Sequence, residues 1–91
     1  ALPKDFLLAQ NYPNPFNPTT NIEFSLPSSQ FVTLKVYDLS GHEITALVNE
    51  QMPAGLHNVH FDGSSLTSGL YMYRLAAGDD IVESRKMMLV K

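Results

Sequence analysis

The sequence predicts an all-β fold, an antiparallel β-sandwich of about seven strands. Three observations predict it: short segments alternate apolar and polar residues, turn-forming clusters separate them at intervals of roughly 8 to 15 residues, and no stretch sustains a 3.6-residue period over a dozen positions. Strands built this way bury one face and must find a second sheet to bury it against.

Each element follows from its residues. A short strand is expected around Phe6 to Ala9. Four of the six prolines then fall within the first eighteen residues, and Asn11-Tyr12-Pro13-Asn14-Pro15-Phe16-Asn17-Pro18 holds three of them. Each proline ring fixes φ and removes a donor, so this segment is extended or turning rather than helical or central in a sheet. Alternation starts with Ile22, Phe24 and Leu26 on one face, and Pro27-Ser28-Ser29 breaks it.

The next strand is Phe31 to Tyr37, with Val32, Leu34 and Val36 facing one way. Asp38-Leu39-Ser40-Gly41 reverses the chain, because an Asp carboxylate bonds the backbone two residues on and Gly tolerates positive φ. His42 to Val48 is read as a strand with Ile44, Ala46 and Val48 alternating, ended by the turn Met52-Pro53-Ala54-Gly55. Leu56 to Asp62 places His57, Val59 and Phe61 on one face, and Gly63-Ser64-Ser65 loops out. Leu70 to Ala76 is a tyrosine-rich strand, Ala77-Gly78-Asp79-Asp80 a tight turn, and Ile81 to Val90 a last long strand.

Composition bounds what such a sandwich does. At 91 residues the chain is one domain, residues 1–91 with 1–20 a proline-rich leading segment. A domain of this size hides only about 60 to 65% of its unfolded surface, which leaves little material for a catalytic cleft beside a core. Net charge is −3 and the basic residues are scattered apart from Arg85-Lys86, so no stripe follows a phosphate backbone and nucleic acid is not an expected partner. Apolar runs such as Met87-Met88-Leu89-Val90 are far short of the roughly 20 residues that span a bilayer, and no membrane-spanning segment is expected. With no cysteine, stability rests on packing rather than disulfides.

Candidate chemistry is sparse. His57 and His60 form H-x-x-H, but on a strand that spacing turns the rings to opposite faces, so no shared metal is expected. Asp62, Asp79 and Asp80 are turn residues, and no loop gathers the six to eight oxygens that calcium takes. Ser, His and Asp occur without a nucleophile elbow, so neither catalytic residues nor cofactors are expected. Gly69-Leu70-Tyr71 fits the tyrosine corner of immunoglobulin-like sandwiches, where a ring packs inward and its hydroxyl bonds the backbone of the preceding corner. Core packing does not account for the Asn-Pro repeats around Tyr12 and Phe16, nor for the closing Arg85-Lys86-Met87-Met88-Leu89-Val90-Lys91. The proline segment also suits a cap on a sheet edge, and Lys91 a solvated end.

These unexplained features form a pattern. Asn11-Tyr12-Pro13-Asn14-Pro15-Phe16-Asn17-Pro18-Thr19-Thr20, Val36-Tyr37-Asp38-Leu39-Ser40-Gly41, Pro53-Ala54-Gly55, Leu66-x-x-Gly69-x-Tyr71-x-Tyr73-Arg74-Leu75 and Lys86-Met87-Met88-Leu89-Val90-Lys91 occur in that order. Together they resemble the type A C-terminal sorting domain of the type IX secretion system, over nearly the whole chain from about Phe6 to Lys91. Flagellar hook-capping immunoglobulin-like domains share part of the pattern. The resemblance implies an immunoglobulin-like sandwich fused behind a cargo protein in Bacteroidota and related bacteria.

It further implies a non-catalytic address. The outer-membrane translocon and its shuttle protein recognise such a domain, the cargo passes through the periplasm to the medium or cell surface, and in many members a sortase-like protease removes the domain and links the cargo to lipopolysaccharide. The recognition residues it implies are Asn11, Tyr12, Pro13, Asn14 and Pro15, Gly69 and Tyr71 at the corner, and Lys86 and Lys91 in the tail, with an accessible terminal strand. The alternative from another class is an accessory carbohydrate-binding or spacer sandwich of a secreted enzyme, using exposed aromatics such as Tyr12, Phe16, Phe31 or Tyr37.

Overall fold

The computed structural model describes residues 6–78 and 81–91; Asp79 and Asp80 of the expected tight turn lie outside the described residues. Among the described residues the chain forms seven strands: β1 (Leu7–Leu8), β2 (Thr19–Leu26), β3 (Gln30–Tyr37), β4 (Glu43–Met52), β5 (Gly55–Asp62), β6 (Gly69–Ala77) and β7 (Ile81–Leu89). They make a three-stranded sheet in the order β1-β2-β5 and a four-stranded sheet in the order β4-β3-β6-β7, with every strand pair antiparallel. The fold is the all-β antiparallel sandwich that the alternation predicts.

The core is the sum of the alternating faces. Leu8, Ile22, Phe24 and Phe61 of the small sheet pack with Val32, Leu34, Val36, Tyr73, Leu75 and Met87 of the large one in a single buried cluster. At about 1.5–3 kcal/mol for each fully buried large apolar side chain, this cluster supplies the main stabilisation of a chain without disulfides. β5 alternates as expected, with Leu56, Asn58 and His60 exposed and Phe61 buried.

Two elements depart from the sequence reading. β2 starts at Thr19 rather than Ile22, directly after Pro18, because Thr19 to Asn21 pair with His60 to Asp62 whatever their polarity. β4 ends at Met52, at the expected turn, but its polar end Asn49-Glu50-Gln51 lies beyond the alternating residues and still pairs with Phe31 to Thr33. Two register shifts leave Ile44 and Leu47 unpaired, so alternation along β4 fails: Ile44 and Leu47 pack against the core while Ala46 is exposed. An extra residue on an edge strand re-aims its side chains in this way.

The proline-rich segment is part of the core. Phe16, expected among the exposed aromatics, is 1% exposed, because its backbone is clamped to the end of β7 and its ring meets Phe61 edge-on at 6.0 Å. The X–Pro bonds at Pro13, Pro15 and Pro18 are cis.

Candidate interaction surface

The leading segment runs along the outer edge of β7 and ties it down at successive points. Arg85 Nε donates to the Leu8 carbonyl at 2.8 Å, and Gln10 Nε2 to the Lys86 carbonyl at 2.7 Å. The Met88 N–H donates to Asn14 Oδ1 at 3.0 Å, the Phe16 N–H to the Met88 carbonyl at 2.9 Å, and the Val90 N–H to the Phe16 carbonyl at 2.9 Å. From Lys86 onward the edge of the terminal strand is therefore occupied rather than open. What remains accessible there is side chain, not an unpaired ladder, and the segment guards an edge that would otherwise recruit other strands.

Asn11 organises the turn from within. It is 2% exposed, and its Nδ2 donates to Thr20 Oγ1 at 3.1 Å and to the Pro13 carbonyl at 3.2 Å, while its Oδ1 accepts from Gln10 at 2.8 Å. Thr20 Oγ1 donates to the same Pro13 carbonyl at 2.9 Å. A buried amide whose polar atoms are all paired, with the side chains of Thr20 and Gln10 and the Pro13 carbonyl, fixes a turn that prolines alone could not close. Tyr12 is paired through its backbone with Asn21, at 3.0 Å in both directions, and its side chain stands 81% exposed. Pro13, Asn14 and Pro15 are exposed beside it.

The corner lies next to the tail. Tyr71 is 7% exposed and its hydroxyl donates to the Thr67 carbonyl at 2.6 Å, the geometry of a tyrosine corner. Gly69 has φ 154° with open space where a Cβ would stand, so its role is conformational. The Lys91 N–H donates to Ser68 Oγ at 3.0 Å and Lys91 Nζ to the Ser64 carbonyl at 2.7 Å, which pins the tail to the loop before β6. Gly63 joins this loop to the proline segment: its N–H donates to the Pro18 carbonyl at 2.8 Å, and a Cβ would meet the Phe16 ring at 3.2 Å and Leu89 at 3.3 Å.

Among the residues expected from sequence, the structure brings Asn14, Lys86 and Lys91 together along one edge and end of the sandwich, with Asn11, Tyr12, Pro13 and Pro15 on the turn that covers the edge. Gly69 and Tyr71 are scaffold for that end rather than exposed surface. Tyr73, in the tyrosine-rich strand, carries a task that the sequence does not announce. Its hydroxyl donates to the Ala9 carbonyl at 2.8 Å and accepts the Asn11 N–H at 2.8 Å, so one side chain of β6 anchors the leading segment. Burial raises the Tyr73 phenol above its usual 10.0, against the opposing pull of the Asn11 hydrogen bond and the Arg85 charge. The alternation of β6 announces an inward ring at position 73, but no local signal announces a partner 62 residues away.

The opposite side of the sandwich opens into a cleft of about 400 Å³ between β4 and the loop after β5, lined by Ile44, Leu47, Phe61 and Leu66. Asp62 is the one titratable group in its lining, and its Oδ1 accepts the Ser64 N–H at 2.9 Å, which holds that carboxyl below its usual range. No His or second carboxylate faces it across the cleft lining, so the lining lacks the paired groups of acid–base chemistry.

A family model described as the secretion system C-terminal sorting domain matches residues 10–91. No curated protein matches the chain at a significant level. Among solved structures, dimeric latent PorU from Porphyromonas gingivalis shares the fold, with a TM-score of 0.70 at 19% identity. The superposition covers 94% of this chain and 9% of that one, so the chain is equivalent to a small part of that protein.

Proposed function

Because the chain belongs to the secretion system C-terminal sorting domain family, we propose that it is a type IX export address that directs a fused cargo protein across the outer membrane. The family consists of sorting signals rather than catalysts, and its cargo is secreted or carried on the cell surface. The observation that supports this reading most is the match over residues 10–91, which takes in the proline segment, the corner and the tail together.

In this reading the translocon and its shuttle protein engage the edge and end where the exposed turn Tyr12-Pro13-Asn14-Pro15 lies over the terminal strand, with Lys86 and Lys91 as charged contacts. Asn11, Gly69 and Tyr71 act by holding that surface in shape. A rigid surface loses little conformational freedom on binding, which favours recognition by a small domain without a deep pocket. A sortase-like protease then removes the domain and attaches the cargo to the cell surface, and whatever activity the protein has resides in the cargo.

The test is a periplasmically targeted reporter fused in front of this chain and expressed in a host with a type IX system. Removal of Lys86 to Lys91 is expected to leave the reporter in the periplasm. Unchanged export without those six residues would contradict the reading.

A further inference from the structure

The outer face of the four-stranded sheet carries a grouping that the core does not require. Strand registers set Tyr37, Met72 and Lys86 in one cross-strand row and Lys35, Arg74 and Ser84 in the next. Their neighbours Val36, Leu34, Tyr73, Leu75 and Met87 are buried, so these six point outward. Leu70 opposite Met88 extends the face by a further row. Three of the chain's six basic residues thus share this face with a single acid, Glu43, which stands opposite Tyr37 on β4, in a chain of net charge −3.

Lys35 and Arg74 are directly opposed, with Cβ atoms about 4.5–5.5 Å apart in such a pair, and like charges so placed are destabilising. Glu43 offsets only one of them, at 3.1 Å from Lys35. Arg74 lies over the Tyr37 ring at 5.6 Å, which orients the guanidinium without giving its N–H groups an acceptor. Among the described residues neither Arg74 nor Lys86 forms an ion pair. The apolar members are Tyr, Met and Leu, and Tyr, Met and Arg are the types that protein interfaces concentrate.

We infer that this face docks a protein of the secretion machinery through a carboxylate-bearing strip. Carboxylates pair with Arg74 and Lys86 while an apolar side chain covers Met72 and Tyr37. The inference rests on the sorting-domain reading and adds to it the face and charge of the partner. Arg74 suits a bidentate carboxylate contact, and the local excess of positive charge steers an acidic surface towards it. An anionic lipid headgroup would meet the charges but leave the Tyr37–Met72 centre uncovered, so the observations favour a protein.

The test uses the reporter fusion with Arg74→Glu, Lys86→Glu and the double substitution, each checked for an unchanged melting temperature; Arg74→Gln with Lys86→Gln replaces any variant that melts early. Export is expected to fall about tenfold for each single charge reversal and further for the double. Mutations that restore export of the double variant are expected to convert an acidic residue of a machinery protein to a basic one. Glu23→Lys, on the other sheet, is expected to export normally. Export of the folded double variant at the unsubstituted rate overturns this face as a docking site, as does an equal loss with Glu23→Lys. Co-sedimentation of the unsubstituted chain with phosphatidylglycerol vesicles, lost in the double variant, would reassign the face to lipid and also overturns it. Failure of the unsubstituted fusion to leave the cell would instead count against the sorting reading itself.

Discussion

The Tyr73 hydroxyl accepts the backbone N–H of Asn11 at 2.8 Å, joining a strand of the large sheet to a residue 62 positions earlier. The same oxygen donates to the Ala9 carbonyl at 2.8 Å, so both of its hydrogen-bonding roles are spent on the leading segment. Tyr73→Phe leaves a buried N–H without its partner and a carbonyl short of one. The expected cost is about 2 kcal/mol in urea denaturation with an unchanged slope, and hydrogen exchange at the Asn11 amide rises more than elsewhere in the sheet.

The pH dependence has a definite sign. Burial raises the Tyr73 phenol, so its folded value lies above its unfolded one. Its contribution is complete below the unfolded value, near the usual 10.0, and is lost as pH climbs through the folded value. Urea midpoints measured from about pH 8 to about pH 11 should fall for the unsubstituted chain and fall less steeply for Tyr73→Phe.

Gly63→Ala tests the close approach of the β5–β6 loop to the proline segment. The added Cβ would stand 3.2 Å from the Phe16 ring, 3.3 Å from Leu89 and 3.4 Å from the Pro18 carbonyl. Overpacking of this kind costs about 1–3 kcal/mol, read as a lower melting temperature. An equal loss for Gly41→Ala, where nothing crowds the added atom but φ is 90°, would report backbone strain instead.

Asn14→Ala separates a local clamp from global stability. Asn14 is exposed, and its Oδ1 accepts the Met88 N–H at 3.0 Å. Stability is expected to change by no more than about 1 kcal/mol, while exchange at the Met88 amide accelerates well beyond that of Tyr71 or Tyr73.

Much of this arrangement is legible in the sequence because alternation reports burial directly. Ile22-Phe24-Leu26, Val32-Leu34-Val36 and Tyr71-Tyr73-Leu75 mark three strands and their inner faces, and glycine before Tyr71 marks the corner. β4 is less legible because two bulges shift Ile44 and Leu47 out of step and because the polar residues Asn49 to Gln51 carry no alternation that announces a strand. The burial of Phe16 is not legible: prolines on either side hide any periodicity, and it depends on Gly63, Phe61 and β7, all remote in sequence. The anchoring task of Tyr73 is invisible for the same reason, since a hydroxyl's partner is fixed by tertiary packing rather than by neighbours.

The measurement that bears most directly on the central claim is the exported fraction of a reporter carrying Tyr12→Ala. The Tyr12 side chain is 81% exposed, so truncation should shift stability by less than about 0.5 kcal/mol. If the turn over the terminal strand is what the secretion machinery reads, export falls about tenfold or more while the melting temperature holds. Export at the unsubstituted level by this folded variant would contradict the account.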